Sequence, residues 1–171
     1  MQRLLASVLL LAALAVGCVS LFHLQDDELA VLEAVLAQDP HRPGHSLLKG
    51  RDLATFTDLQ LFSGSDDPSF YWPGPPAQPV SVSPTLVAGL RPANRLGVSI
   101  PRAVRQRAHP DTSASTYVAL SRPAFSASRQ EALVAVSAHP KVAGCGWGYL
   151  VYLRFTEGAW HVAAIAAEYV T

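Results

Sequence analysis

Between Cys145 and Val170 lie two runs rich in Val, Tyr, Phe, Trp and Ile whose residues divide into two alternating sets. Val151, Leu153 and Phe155 alternate with Leu150, Tyr152 and Arg154, and Trp160, Val162 and Ala164 alternate with His161, Ala163 and Ile165. A period of two belongs to a strand, with each set on its own face of a sheet. The two runs flank Thr156-Glu157-Gly158, so they predict a β-hairpin that Cys145 opens. One face of the hairpin is polar enough to meet water or a helix edge, and Trp147 and Trp160 are expected to pair across it.

Upstream, Thr116–Leu120 (TYVAL) and Glu131–Ser137 (EALVAVS) read as two further strands, the second closed by a turn at Ala138-His139-Pro140-Lys141. Four strands with short links predict an antiparallel meander. Asp26–Gln38 carries a period of 3.6 instead, with Leu29, Leu32 and Leu36 on one stripe beside Val31 and Val35. Acids in its first turn suit the helix dipole, and Asp39-Pro40 stops it. This helix is the natural cover for the meander, so the expected class is α+β, an N-terminal helix packed on a mainly antiparallel sheet. Ser83-Pro84 starts a short second helix over Thr85–Leu90, ended by Arg91-Pro92. Arg51–Phe62 alternates enough for a strand. Residues 63–84, with five prolines before Pro84, read as a long surface loop, and Ala93–Arg107 is mixed.

At 171 residues and 50% hydrophobic, the chain supports one domain with a true core, which we place at 25–171. Thirteen basic residues balance thirteen acidic ones, which argues against a general nucleic-acid binder. The charge is segregated, however. From Asp26 to Asp67 nine acids face Arg42, Lys49 and Arg51, whereas Pro68–Pro110 holds Arg91, Arg95, Arg102, Arg105 and Arg107 and no acid. Those five arginines are candidate residues for binding a polyanion or an anionic membrane surface.

The opening MQRLLASVLLLAALAVGCVS has a basic start at Arg3 and an apolar run from Leu4 to Val16, too short to span a bilayer and suited to a secretory signal. Its end, Ala15-Val16-Gly17-Cys18, resembles the lipobox of bacterial lipoproteins, with Ala15 where leucine is favoured. The resemblance implies a signal peptide over 1–17, a tether over 18–24, and Cys18 as lipidation site bearing diacylglycerol and an amine-linked acyl chain such as palmitate. Several acyl chains hold where one would be marginal. Val19 stands where an Asp would resemble the inner-membrane retention signal of some Gram-negative bacteria. The implied location is therefore the cell envelope, on the outer membrane facing the periplasm in a cell that has one. Lipidation consumes Cys18 and leaves Cys145 alone, which excludes the disulfide that export would otherwise permit.

Chemistry-bearing constellations are sparse. Phe70-Tyr71-Trp72 is a candidate aromatic binding patch, or else a set of rings folded over the core edge. His41 and His45 lie four apart, but Pro43-Gly44 between them breaks the helix a metal pair would need. Cys145 with His161 or His139 as base would make a cysteine nucleophile, yet Cys145 sits among glycines at a strand start rather than at an electropositive helix end. Gly144, Gly146 and Gly148 lack the Lys-Ser/Thr of a phosphate loop and point instead to a bulge or close backbone approach. The order Leu120-Ser121-Arg122-Pro123-Ala124-Phe125, Glu131-Ala132-Leu133-Val134, Cys145-Gly146-Trp147-Gly148 and Gly158-Ala159-Trp160-His161-Val162 resembles the C-terminal half of small exported bacterial proteins. That likeness implies no activity. The expectation is an envelope lipoprotein with a non-catalytic binding or structural role and no cofactor, held to the membrane by its N-terminal lipid, with an envelope protein or a polyanion as partner. The alternatives are a small secreted hydrolase using Cys145 and His161, and a polyanion-binding module built on Arg91–Arg107.

Overall fold

The structure, a computed structural model, describes residues 24–40, 45–57, 68–72, 77–94, 97–142, 146–166 and 169–170. The signal segment, Cys18, Arg95 and Cys145 lie outside the described residues. The expected class is what the chain adopts: helix α1 (Asp26–Ala37) leads into a mainly antiparallel sheet. The strands are β1 (Asp52–Leu53), β2 (Phe70–Trp72), β3 (Gln78–Val80), β4 (Thr116–Leu120), β5 (Ala124–Phe125), β6 (Glu131–Pro140), β7 (Trp147–Thr156), β8 (Ala159–Ala166) and β9 (Tyr169–Val170). Helices α2 (Pro84–Ala93) and α3 (Arg102–Ala108) lie between β3 and β4. The sheet order is β1-β4-β6-β7-β8-β2-β3, with β5 on β6 and β9 on β7. Strands β4, β6, β7 and β8 form the expected meander, and β1 adds a parallel edge beside β4. Among the described residues no helix is long and apolar enough to cross a membrane.

Both faces of the meander are buried, so of water and a helix edge it is a helix that meets the second face. On one side Val31, Leu32, Val35 and Leu36 of α1 and Val104 of α3 pack on Val134 and Val136 of β6 and Val151 and Leu153 of β7. On the other, Leu86, Val87 and Leu90 of α2 pack on Leu133, Ala135, Leu150 and Tyr152. The runs ALVAV and GYLVYL, apolar at every position, carry the signature of strands covered twice. Pro92 does not end α2 early, because the helix continues to Ala93.

The hairpin turns at Glu157 and Gly158, both at positive φ, where glycine meets no strain. Its alternation is broken once. Leu153 faces Val162 but Tyr152 faces Ala164, so Ala163 is an extra residue. This bulge moves Ala164 to the α2 side of the sheet, off the face it would share with Trp160 and Val162. The two tryptophans do not pair. Trp160 lies opposite Phe155, while Trp147 lies opposite Ala138 and stacks on Tyr149 at 5.5 Å beneath the Arg51 guanidinium.

Three further expectations are corrected. Part of the supposed loop at 63–84 is the hairpin β2–β3, which extends the sheet beyond β8. Pro79 is tolerated there because β3 is the edge and that proline owes no N–H to a neighbour. Of the strand expected over 51–62, only β1 and an isolated bridge from Phe56 to Ser99 form among the described residues. The turn expected at 138–141 is strand as far as Pro140, since His139 and Pro140 pair with Tyr117 and Thr116.

Candidate ligand-binding clefts

Helix α3 is short and buries one side chain. Val104 is fully buried in the α1-side core, while the segment before the helix is pinned to the residues after β1. Thr57 N–H donates to Val98 O at 2.8 Å, Val98 N–H to Thr57 Oγ1 at 2.9 Å, and Ile100 N–H to Thr55 O at 2.8 Å. Pro101 precedes the helix. His109 ends it in the left-handed conformation, φ 49°, before Pro110 prevents continuation.

With Val104 inward, the 3.6 period sends Arg102, Arg105, Gln106 and His109 to one flank and Arg107 and Ala108 to the other. Each flank borders a cleft. The first, about 690 Å3, is lined by Arg102, Arg105, Gln106 and His109 from the helix and by the hydroxyl residues Thr55, Ser99 and Thr112, with Ile100 and Pro110. Among the described residues no carboxylate lines it. Arg105 lies 3.8 Å from Asp52, which Lys141 Nζ also approaches at 3.0 Å. Arg102 has no hydrogen-bond or ion-pair partner among the described residues. Burial works to raise the Asp52 pKa, but the Lys141 hydrogen bond, the Leu53 N–H and the charges of Lys141 and Arg105 together hold it below the ordinary value. The shared carboxylate is thus ionised and keeps the Arg105 guanidinium at the cleft wall.

The second cleft, about 600 Å3, lies between α1 and α3. Its floor is Leu36, Leu48 and Val104, all buried, and Ala37 and Ala108 stand on its walls. Glu33, Arg107, Lys49, His45 and Asp111 ring the mouth, and His109 borders both clefts. Arg107 pairs with Glu33 across the two helices, and Lys49 Nζ meets His45 Nδ1 at 3.3 Å. Asp111 takes the Ser113 hydroxyl at 2.6 Å and the Ser113 N–H at 3.0 Å, bonds that lower its pKa.

Of the residues singled out in the sequence, the structure brings together Arg102 and Arg105 and sets Arg107 across the helix from them. Arg91 is on α2, which covers the opposite face of the sheet, so the arginine segment is not one surface. The aromatic triplet is likewise dispersed. Phe70 is buried on the α2 side, edge-on to Tyr152 at 6.3 Å; Tyr71 packs on the α1-side core; Trp72 is 42% exposed. Strand alternation separates rings that adjacency in sequence suggested were together. The cleft residues that sequence reasoning missed are Thr55, Ser99, His109 and Thr112. They come from separate segments and carry no local signal.

His161 is exposed on β8 opposite Arg154. A second dyad emerges instead: His139 Nε2 lies 2.7 Å from Ser137 Oγ, and the ring stacks on Tyr117 at 5.5 Å. Ser137 is fully buried, so its hydroxyl satisfies the histidine rather than meeting a substrate. Gly146 shows the close approach expected of its glycine run, since an added Cβ would lie 2.6 Å from His139 Nδ1 and 2.9 Å from Ala138 O. Among the described residues no group of three or more His, Cys, Asp or Glu side chains is gathered to hold a metal ion. Set against protein-family models, curated proteins and solved structures, the chain matches none.

Proposed function

We propose that the chain is a lipid-anchored protein of the bacterial cell envelope whose folded part binds a small anionic ligand without transforming it. The observation that carries the binding half is the first cleft. Arg102 and Arg105 converge there with His109 and three hydroxyl residues, and no acid among the described residues lines the wall. Guanidinium forks beside hydroxyl donors suit a phosphate, sulfate or carboxylate group. The anchoring half rests on the lipobox-like Ala15-Val16-Gly17-Cys18. Seven residues lie between Cys18 and Asp26 at the start of α1, eight residue steps with a reach of about 28 Å when fully extended, so an acylated Cys18 holds α1 close to the bilayer.

The two halves are tested separately. The intact mass of membrane-fraction protein from a bacterial host should equal residues 18–171 plus diacylglyceryl and one acyl chain, and Cys18→Ser should release the protein from the membrane. Soluble protein still beginning at Met1, without acyl mass, refutes the anchor. Inorganic phosphate titrated into the folded protein should shift the amide resonances of residues 99–112 at low salt. It should bind at least tenfold more weakly to Arg102→Ser/Arg105→Ser. Equal binding by that variant refutes the cleft.

A further inference from the structure

The second cleft differs from the first in chemistry, and His109 borders both. The cleft on the arginine flank of α3 is lined by no carboxylate among the described residues. The opposite flank opens on buried Leu36, Leu48 and Val104, with small Ala37 and Ala108 leaving the space between α1 and α3 unfilled. A cavity of about 600 Å3 is within the range of small-molecule sites, and its apolar floor favours hydrocarbon. At its mouth the charges of Glu33 and Asp111 are offset by Arg107 and Lys49, and both helices turn their negative C-terminal ends towards it, so it offers an anion no net attraction. An anionic group is therefore drawn to the arginine side and a chain to the other.

We infer that the ligand is a single-chain anionic amphiphile, its headgroup between Arg102 and Arg105 and its aliphatic chain passing His109 into the groove between α1 and α3. This deepens the anion-binding reading and rests on it for the headgroup, while the chain pocket stands on its own residues. The left-handed His109 has the conformation at the junction that lets the helix end there. A further helical turn would continue the ridge between the two clefts. Charge complementarity selects the head and the apolar floor selects the tail, so neither inorganic phosphate nor a neutral alcohol satisfies the whole site.

The experiment is a titration of the folded chain with inorganic phosphate, butyl phosphate, octyl phosphate and dodecyl phosphate, each below its micelle concentration. Octanol and an alkyltrimethylammonium of equal length serve as controls. Affinity should rise about three- to fourfold for each methylene buried, until the groove is full. The alkylammonium should bind at least tenfold more weakly than the phosphate of the same length. Ala37→Trp, an exposed position on the groove wall, should bring the ratio of octyl phosphate to inorganic phosphate affinity towards one. Ala108→Trp repeats the block from α3. Phosphate binding with no gain from chain length overturns this inference and leaves the anion cleft standing. Chain-length gain without any phosphate binding overturns the anion cleft and with it the placement of the headgroup, and leaves only the apolar groove. Equal binding of phosphate and ammonium amphiphiles, or an undiminished ratio in both tryptophan variants, also overturns it.

Discussion

Arg122→Met should be among the most destabilising single changes outside the hydrophobic core. Arg122 Nε donates to Glu28 Oε1 at 2.6 Å and a terminal nitrogen lies 3.3 Å from Oε2, while the two side chains are only 15% and 7% exposed. Glu28 also accepts the Gln25 N–H at 2.7 Å, closing the first turn of α1. The Arg122 backbone meanwhile exchanges hydrogen bonds with the Asn94 side chain at 2.6 and 2.9 Å, and Asn94 donates to Leu90 O at 2.8 Å. The network therefore ties the start of α1, on one face of the sheet, to the end of α2 on the other. Methionine keeps the backbone bonds and most of the volume but leaves the carboxylate buried and unpaired.

Removing one partner of a buried pair costs about 3 to 5 kcal/mol. The surviving Gln25 bond and the positive end of the α1 dipole offset part of this, up to about 1 kcal/mol, so we expect a loss near 3 kcal/mol. For a chain of this size that is a fall in Tm of about 6 to 12 °C. Urea unfolding should show a lower midpoint with an unchanged slope. Glu28→Gln/Arg122→Met should recover more than half of the loss, because no charge is then stranded. Arg107→Ala is the internal control. Its pair with Glu33 is 62% and 40% exposed, and its removal should change stability by less than about 1 kcal/mol. A loss under 1 kcal/mol in Arg122→Met, or no recovery in the double variant, would refute the buried-pair account.

Gly146→Ala should cost about 1 to 3 kcal/mol through the clash with His139 and Ala138, whereas Gly89→Ala in α2 meets only Ala124 Cβ at 3.7 Å and should stabilise by about 1 kcal/mol, both read by thermal melts. Burial and the Glu131 carboxylate raise the Tyr152 pKa above its ordinary 10.0, so this hydroxyl adds stability that is complete below pH 10 and is lost as pH rises through its folded-state ionisation. Tyr152→Phe should remove that alkaline loss; an unchanged alkaline profile counts against it. Asp52 has the opposite sign, since its pKa lies below 3.8: the stability it contributes is present above that value and disappears as pH falls through the folded pKa, and Asp52→Asn should flatten this part of an acid titration. Cys145 should react with iodoacetamide at neutral pH no faster than an ordinary thiol; rapid labelling, matched by loss of a hydrolytic activity, would instead support the Cys145–His161 hydrolase.

Local pattern alone determined a good deal of this protein. The stripe of α1, the Ser-Pro start of α2, strand β4 to the residue and the order of the meander all follow from periodicity and punctuation, because each is decided by neighbours two to four positions away. The class followed from that order. Tertiary structure decided what periodicity leaves degenerate. A strand apolar at every position does not announce what covers its second face, and α2 settled it. The Ala163 bulge moved a residue between faces with no sequence mark beyond small side chains. Above all, the clefts astride α3 are assembled from Glu33, Leu48, Thr55, Ser99 and Thr112, residues as much as 79 positions apart by numbering, 112 minus 33. The arginines were visible as a charge run, but one helical turn distributes that run to opposite sides of a buried valine. Which arginines share a site is a property of the packed helix.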